Sequence, residues 1–211
     1  MSASLSDELK SAGRERVEGW LASPLLAGVA RGDLPLEHFR YYLEQDYLYL
    51  REYARLYSRL AGNAPDEHVE HLVRLAANVI TVEVEAHRRL GERFGCDFDA
   101  VVASAECAAY IAFLREASTD FGEGLVAALP CLWGYGVALR LVPRERSGPY
   151  RLWLEVYAGD DYEQMITRHC QMLDEAPVDP VRAAELFDRA LDHEDAFWAQ
   201  QPKSAGSAGR P

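Results

Sequence analysis

An all-α fold, a compact helical bundle, is predicted by three features of this 211-residue chain. Apolar residues recur at three- and four-residue intervals almost throughout, and no convincing stretch alternates apolar with polar residues as a half-buried strand does. Apolar residues make up 49 % of the chain, enough for a sizeable core without disulfides or metals. No internal repeat and no linker divides the sequence, so residues 1–200 read as a single domain.

The elements follow in order. A first helix is expected over about residues 5–22, stopping near Pro24. A second, long helix begins after Asp33, a plausible N-cap two residues before Pro35, and runs to Gly62. NAPDEH turns the chain, with Asp66 as the next N-cap, and a third helix runs to about 93 and ends at Gly95. Helices are then expected at 105–118 and 122–142, followed by the turn RERSGP and helices near 150–158, 160–175 and 179–200, seven or eight helices in all. Residues 201–211, QPKSAGSAGRP, are small and polar and read as a disordered tail.

The charge of −12 is spread along the chain, which argues against nucleic acid or an anionic membrane as partner, since either calls for a basic face. The N-terminus lacks the charged and apolar regions of a secretory signal, and no uncharged apolar run approaches the ~18 residues of a membrane span. A soluble, cytoplasmic protein is expected. The four cysteines, Cys96, Cys107, Cys131 and Cys170, show no CxxC pairing and read as free thiols.

Chemistry is suggested where polar residues fall on apolar stripes. In FRYYLEQDYLYLREYARLY, Phe39, Leu43, Leu50, Tyr53 and Tyr57 share one face at 100° per residue. Asp46 lies between Leu43 and Leu50 on that face, with Tyr42 and Tyr49 a turn away. A buried carboxylate needs partners, so Asp46 is either a structural tie between helices or a site residue. In the last helix Glu194 interrupts a stripe of Phe187, Leu191 and Trp198; burial raises a carboxyl pKa and suits a glutamate to proton transfer near neutral pH. In ALPCLWGYGVAL, Pro130 falls inside a helical pattern and should kink it, with Cys131 next and Tyr135 one turn on. A cysteine there is a small buried hydrophobe or, in a thiolate-stabilising setting, a nucleophile.

Other signals are weak. There is no phosphate-binding glycine loop and no GxSxG. Glu83 and His87 share a helix face, but a di-metal carboxylate bundle needs further ligands; His169 and Asp174 do not share a face. These residues read as solvated or structural, and no metal site is expected.

QDYLYL, LPCLWGY, LWLEVYAGDDY and HEDAFW, in that order, resemble the TenA family (thiaminase II, aminopyrimidine aminohydrolase) over about residues 5–200. The resemblance implies a haem-oxygenase-like fold, which carries no implication of haem here, and a homotetramer in thiamin salvage. It implies Cys131 as nucleophile, Glu194 as acid/base, Asp46 as acceptor from an aminopyrimidine's exocyclic amine, and Tyr49, Tyr110, Tyr135 and Tyr157 as pocket residues, with no metal or organic cofactor. Tyr110 has the poorest flanking match, and the LPC cysteine places the chain with the cysteine-containing branch. Tyr49 is then expected to face the substrate, and Tyr53 and Tyr57 the core. Two other classes compete: a PqqC-like or di-iron oxidase on the same fold, and a non-catalytic pyrimidine-binding protein.

Overall fold

The computed structural model describes residues 3–157 and 159–202, so most of the expected disordered tail, 203–211, lies outside the described residues. Ten α-helices and no strand occur among the described residues. They are α1 (Leu5–Gly19), α2 (Pro24–Arg31), α3 (Leu36–Asn63), α4 (Asp66–Asn78), α5 (Glu85–Phe94), α6 (Ala105–Ala117), α7 (Phe121–Leu141), α8 (Arg151–Val156), α9 (Asp160–Glu175) and α10 (Pro180–Ala199). Single 3₁₀ turns occupy Trp20–Ala22 and Gly148–Tyr150, and a π-helical stretch, Val79–Val84, joins α4 to α5.

Helix α2 is the element the periodicity did not separate. Pro24 ends the first helical run, but it also starts another, because a proline at the first helical position gives up only an N–H that is orphaned anyway. The Ser23 hydroxyl accepts from Leu26 N–H, and Gly32 closes the helix at φ 79°, a left-handed conformation that favours glycine. Two expected caps are corrected. Helix α3 starts after Pro35 with no side-chain cap, and Asp33 pairs with Arg31 instead. Asp66 is the first residue of α4 rather than its cap, its side chain making no capping bond. Ser4, Ser104, Asp120 and Asp179 do cap α1, α6, α7 and α10.

Helices α3 and α7 are the axis of the bundle. Helix α3 packs against α4, the π stretch, α5, α6 and α7, while α7 also contacts α9, α10 and α1. Every residue of α7 from Phe121 to Gly136 except Glu123 is buried. This overturns one expectation: Gly124–Leu139 is an uncharged run of 16 residues, and α7 is long and apolar enough by composition to cross a membrane. Its window is 83 % buried inside the protein, where other helices serve as its apolar surroundings.

Pro130 does not break α7, which continues through it. Around it, buried polar side chains from other helices reach the α7 backbone. His169 Nε2 donates to Leu125 O at 2.9 Å, Tyr53 OH to Ala128 O at 2.9 Å, and Tyr162 OH to Leu132 O at 2.9 Å. The helix segment that carries Cys131 is thus pinned from α3 and α9.

Close packing also fixes α7 against Trp20. A Cβ on Gly134 would lie 2.4 Å from the Trp20 ring, and that ring cannot swing away. Its Nε1–H donates to Asp195 Oδ1 at 2.6 Å, and Trp198 packs against it at 5.8 Å. Overpacking costs roughly 1–3 kcal/mol, against the ~1 kcal/mol that alanine gains over glycine in a helix. Gly134→Ala should therefore lower the unfolding free energy in urea by ~1 kcal/mol. Gly19→Ala, where nothing lies within 4 Å of the added carbon, should not destabilise the protein.

Candidate active site

The seven residues singled out by sequence pattern and resemblance come from five places in the chain, and all are buried. Helix α3 supplies Asp46 and Tyr49, α6 Tyr110, α7 Cys131 and Tyr135, and α10 Glu194, while Tyr157 follows α8. They fall into two groups that share one aromatic interior.

The first group surrounds Glu194. Tyr110 OH donates to Glu194 Oε1 at 2.8 Å, and Oε2 has no partner. The Tyr49 ring lies 4.7 Å from that of Tyr110, and its hydroxyl is also unpartnered. Glu194 is pushed up to about 8, first by burial and then by the negative charges of Asp46 and Asp195, against the Tyr110 hydrogen bond. Burial likewise pushes the Cys131 thiol up, and the Glu194 charge adds to this, while the Tyr49 hydroxyl opposes it. The Glu194 charge therefore acts on the protonation of Cys131 in a site from which water is largely excluded.

The second group surrounds Asp46. Its Oδ2 accepts from Tyr42 OH at 2.9 Å and lies 2.7 Å from His87 Nε2 of α5. The His87 approach is bent away from the ring's N–H axis, so it is an ion pair more than a linear hydrogen bond. Tyr42 OH is 3.4 Å from Tyr135 OH, and the Tyr135 ring is 5.3 Å from that of Tyr157. Trp198 and Phe197 of α10 join the two groups: Trp198 packs 4.7 Å from Tyr135, and Phe197 lies 5.7 Å from Tyr49 and 6.3 Å from Tyr42.

The tyrosines of α3 divide by what their hydroxyls reach. Tyr53 OH is bound to Ala128 O and lies 3.1 Å from Tyr57 OH, which is 3.3 Å from His169 Nδ1. Burial lowers His169 to about 4, so it is a neutral bridge. These two phenols are tied into the protein, whereas the Tyr49 hydroxyl is left free.

Glu83 and His87, read from sequence as solvated or structural, are buried, Glu83 being 8 % exposed and His87 1 %. Burial first, then the Asp46 charge, pushes Glu83 up to about 7; His87 and the Tyr157 hydroxyl work in the other direction. The signal that could have found them is their i, i+4 spacing. What hid their burial is the π-helical stretch, which adds a residue to the turn and changes the face that follows. Among the described residues, no three His, Cys, Asp or Glu side chains converge in a way that could hold a metal ion. Surface clefts of about 540 and 580 Å³ are lined by other residues, the first by Lys10, Arg140 and Cys170, the second by Gln45, Ser104 and Gln200.

Glu83 and Glu194 keep protons in the folded chain that they release near 4.5 when unfolded. Below that value both states are protonated and the groups cost nothing. As pH rises toward 7 and 8 the unfolded state is increasingly favoured, and folding stability falls. Urea unfolding between pH 5 and 9 should show stability dropping by several kcal/mol, with a shallower slope in Glu194→Gln and in Glu83→Gln. Profiles parallel to the wild type would contradict this.

Comparison with known proteins bears on this arrangement. The TENA/THI-4/PQQC family model matches residues 7–203. The chain is 31 % identical over 191 residues to an aminopyrimidine aminohydrolase of Halalkalibacterium halodurans, covering 83 % of this chain and 85 % of the relative. It is 29 % identical to an aminopyrimidine aminohydrolase of Bacillus subtilis, covering 95 % and 91 %. A solved TenA homologue from P. horikoshii OT3 superposes with a TM-score of 0.82 at 26 % identity, covering 93 % of this chain and 97 % of that one. With a family model matched over nearly its whole length and an all-α fold shared with solved TenA homologues, the chain belongs to the TENA/THI-4/PQQC family.

Proposed function

We propose that this protein is an aminopyrimidine aminohydrolase of the thiaminase II type. It hydrolyses 4-amino-5-aminomethyl-2-methylpyrimidine to 4-amino-5-hydroxymethyl-2-methylpyrimidine, with thiamin as the second candidate substrate, in thiamin salvage. The observation that supports this most is that Cys131 and Glu194 are both buried and the Glu194 charge reaches the thiol, with Tyr110 holding one glutamate oxygen and leaving the other without a partner. The names of the relatives point to the same reaction.

The chemistry follows from these groups. The Glu194 carboxylate takes the Cys131 thiol proton as sulfur bonds to C6 of the ring. The C5=C6 electron pair moves to form an exocyclic C5=CH₂ bond, and the methylene–nitrogen bond breaks. Glu194 hands its proton to the departing amine, which leaves as ammonia. Water then adds to the methylene carbon and gives a proton to Glu194. The electron pair returns to the ring, the C6–S bond breaks, and sulfur recovers the proton. Net, water replaces ammonia and both residues return to their starting states. Asp46 accepts from the exocyclic amine and fixes the ring's orientation, while Tyr49, Tyr135 and Tyr157 border its faces. Residues 1–200 act as one domain, and a homotetramer is the assembly this proposal carries; sedimentation equilibrium should find four chains per particle.

The first step needs Glu194 as carboxylate, and its value of about 8 leaves a minority in that form at neutral pH. Accordingly kcat/KM should rise with pH to about 8. Cys131→Ser and Glu194→Gln should each lower turnover by 10²-fold or more, as loss of a nucleophile or general acid/base does, with unchanged circular dichroism. Release of the hydroxymethyl product, followed by chromatography, is the assay; wild-type-like rates in both variants would sink the assignment.

A further inference from the structure

His87 takes no part in the steps above, yet it is among the most buried polar side chains of the chain. Its Nδ1 lies 2.9 Å from the Glu83 backbone oxygen, which can only accept, so Nδ1 carries a proton. Nε2 lies 2.7 Å from Asp46 Oδ2, off the ring's N–H axis, and an unprotonated nitrogen so close to a carboxylate oxygen is repelled, whereas a protonated ring is attracted. The geometry therefore describes an imidazolium against a carboxylate. The charge balance agrees: burial alone would lower the imidazole, but the hydrogen bond and charge of Asp46, with the Glu83 carbonyl, outweigh it and leave His87 raised.

Stability does not explain such a pair, since buried ion pairs are often replaced by apolar residues at no cost. Its placement does suggest a use. Both contacts that hold Asp46, from Tyr42 and from His87, fall on Oδ2, which leaves Oδ1 for another donor. Facing the pair are the Tyr42 hydroxyl from α3, Glu83 from the π-helical stretch before α5, and Tyr157, whose hydroxyl is unpartnered, from the end of α8. The next charged residue, Arg88, points outward to Tyr47 and Glu85.

We propose, resting on the reading of Asp46 as the amine acceptor, that His87 is a positioning residue: clamped between the Glu83 carbonyl and Asp46 Oδ2, it holds the carboxylate in one orientation, so that Oδ1 selects a ring bearing an exocyclic amine. Selectivity for the amine thus depends on a side chain that does not touch the substrate.

Two measurements test this. In ligand-free protein, ¹⁵N spectra of the imidazoles, with His87 assigned by its loss in His87→Gln, should show both His87 nitrogens protonated at pH 7, and the second proton lost in Asp46→Asn. A neutral His87 in the wild type overturns the inference without recourse to any variant's folding. In the second, calorimetry compares 4-amino-5-hydroxymethyl-2-methylpyrimidine with the same ring lacking the 4-amino group. A hydrogen bond to a charged acceptor gives a preference of about tenfold or more in the wild type. That preference should collapse in His87→Phe and be largely kept in His87→Gln, which retains a donor. A preference that survives in His87→Phe, or an equal loss of affinity for both rings as a merely structural role would give, refutes the inference and leaves the hydrolase standing. Wild-type protein that prefers the amino ring through His87 yet turns nothing over refutes the hydrolytic reading and leaves the inference standing.

Discussion

A carboxyl group moved from water into an apolar interior must find partners or keep its proton, and Asp46, Glu83 and Glu194 are all in the interior of this chain. The three meet that demand differently. Asp46 is matched by an imidazolium and a phenol. Glu194 has one phenol and rises to about 8; Glu83 has Tyr157 beside it and rises to about 7. Asp46 is also a cause of both rises, because its charge penalises a second and third negative charge nearby. The raised proton affinities of Glu83 and Glu194 therefore come first from burial and then from the charge of one paired aspartate.

The helix scaffold serves this interior by placing phenols where carbonyls or carboxylates need them. Tyr53 and Tyr162 cap the α7 backbone on either side of Pro130, and Tyr150 donates to Leu34 O at 2.8 Å. Tyr42 and Tyr110 instead serve the carboxyl groups. Tyr49 and Tyr157 serve neither, and their unpartnered hydroxyls lie next to Cys131 and Glu83 respectively. A buried phenol without a partner carries a desolvation cost, and both such residues border the region where a polar heteroaromatic ring would supply the missing partner.

Much of the fold was legible in the amino-acid pattern because helical periodicity is a local property. The long stripe of α3, the glycine that ends α5 and the buried run of α7 all follow from it. The misses are local too: Ser23–Pro24 carries a start signal as well as a stop, and the prolines at 35 and 65 displaced the expected aspartate caps by one or two residues. In the site, Asp46 and Glu194 stood out because each interrupts an apolar stripe. Glu83 and His87 did not, since the π-helical stretch that holds Glu83 and precedes His87 breaks the periodicity by which a buried face is recognised.

The sequence by itself determined that the chain is helical, that Asp46 and Glu194 lie on inward faces, and that Cys131 follows a proline within a helix. These are statements about single helices, and a period of 3.6 residues is enough to make them. Only the tertiary structure decided which carboxyl faces which partner: Asp46 meets His87 from 41 positions along the chain, and Glu194 meets Tyr110 from 84 positions away. Proton affinity depends on such through-space neighbours and on the exclusion of water, neither of which is encoded in the spacing of residues along one helix.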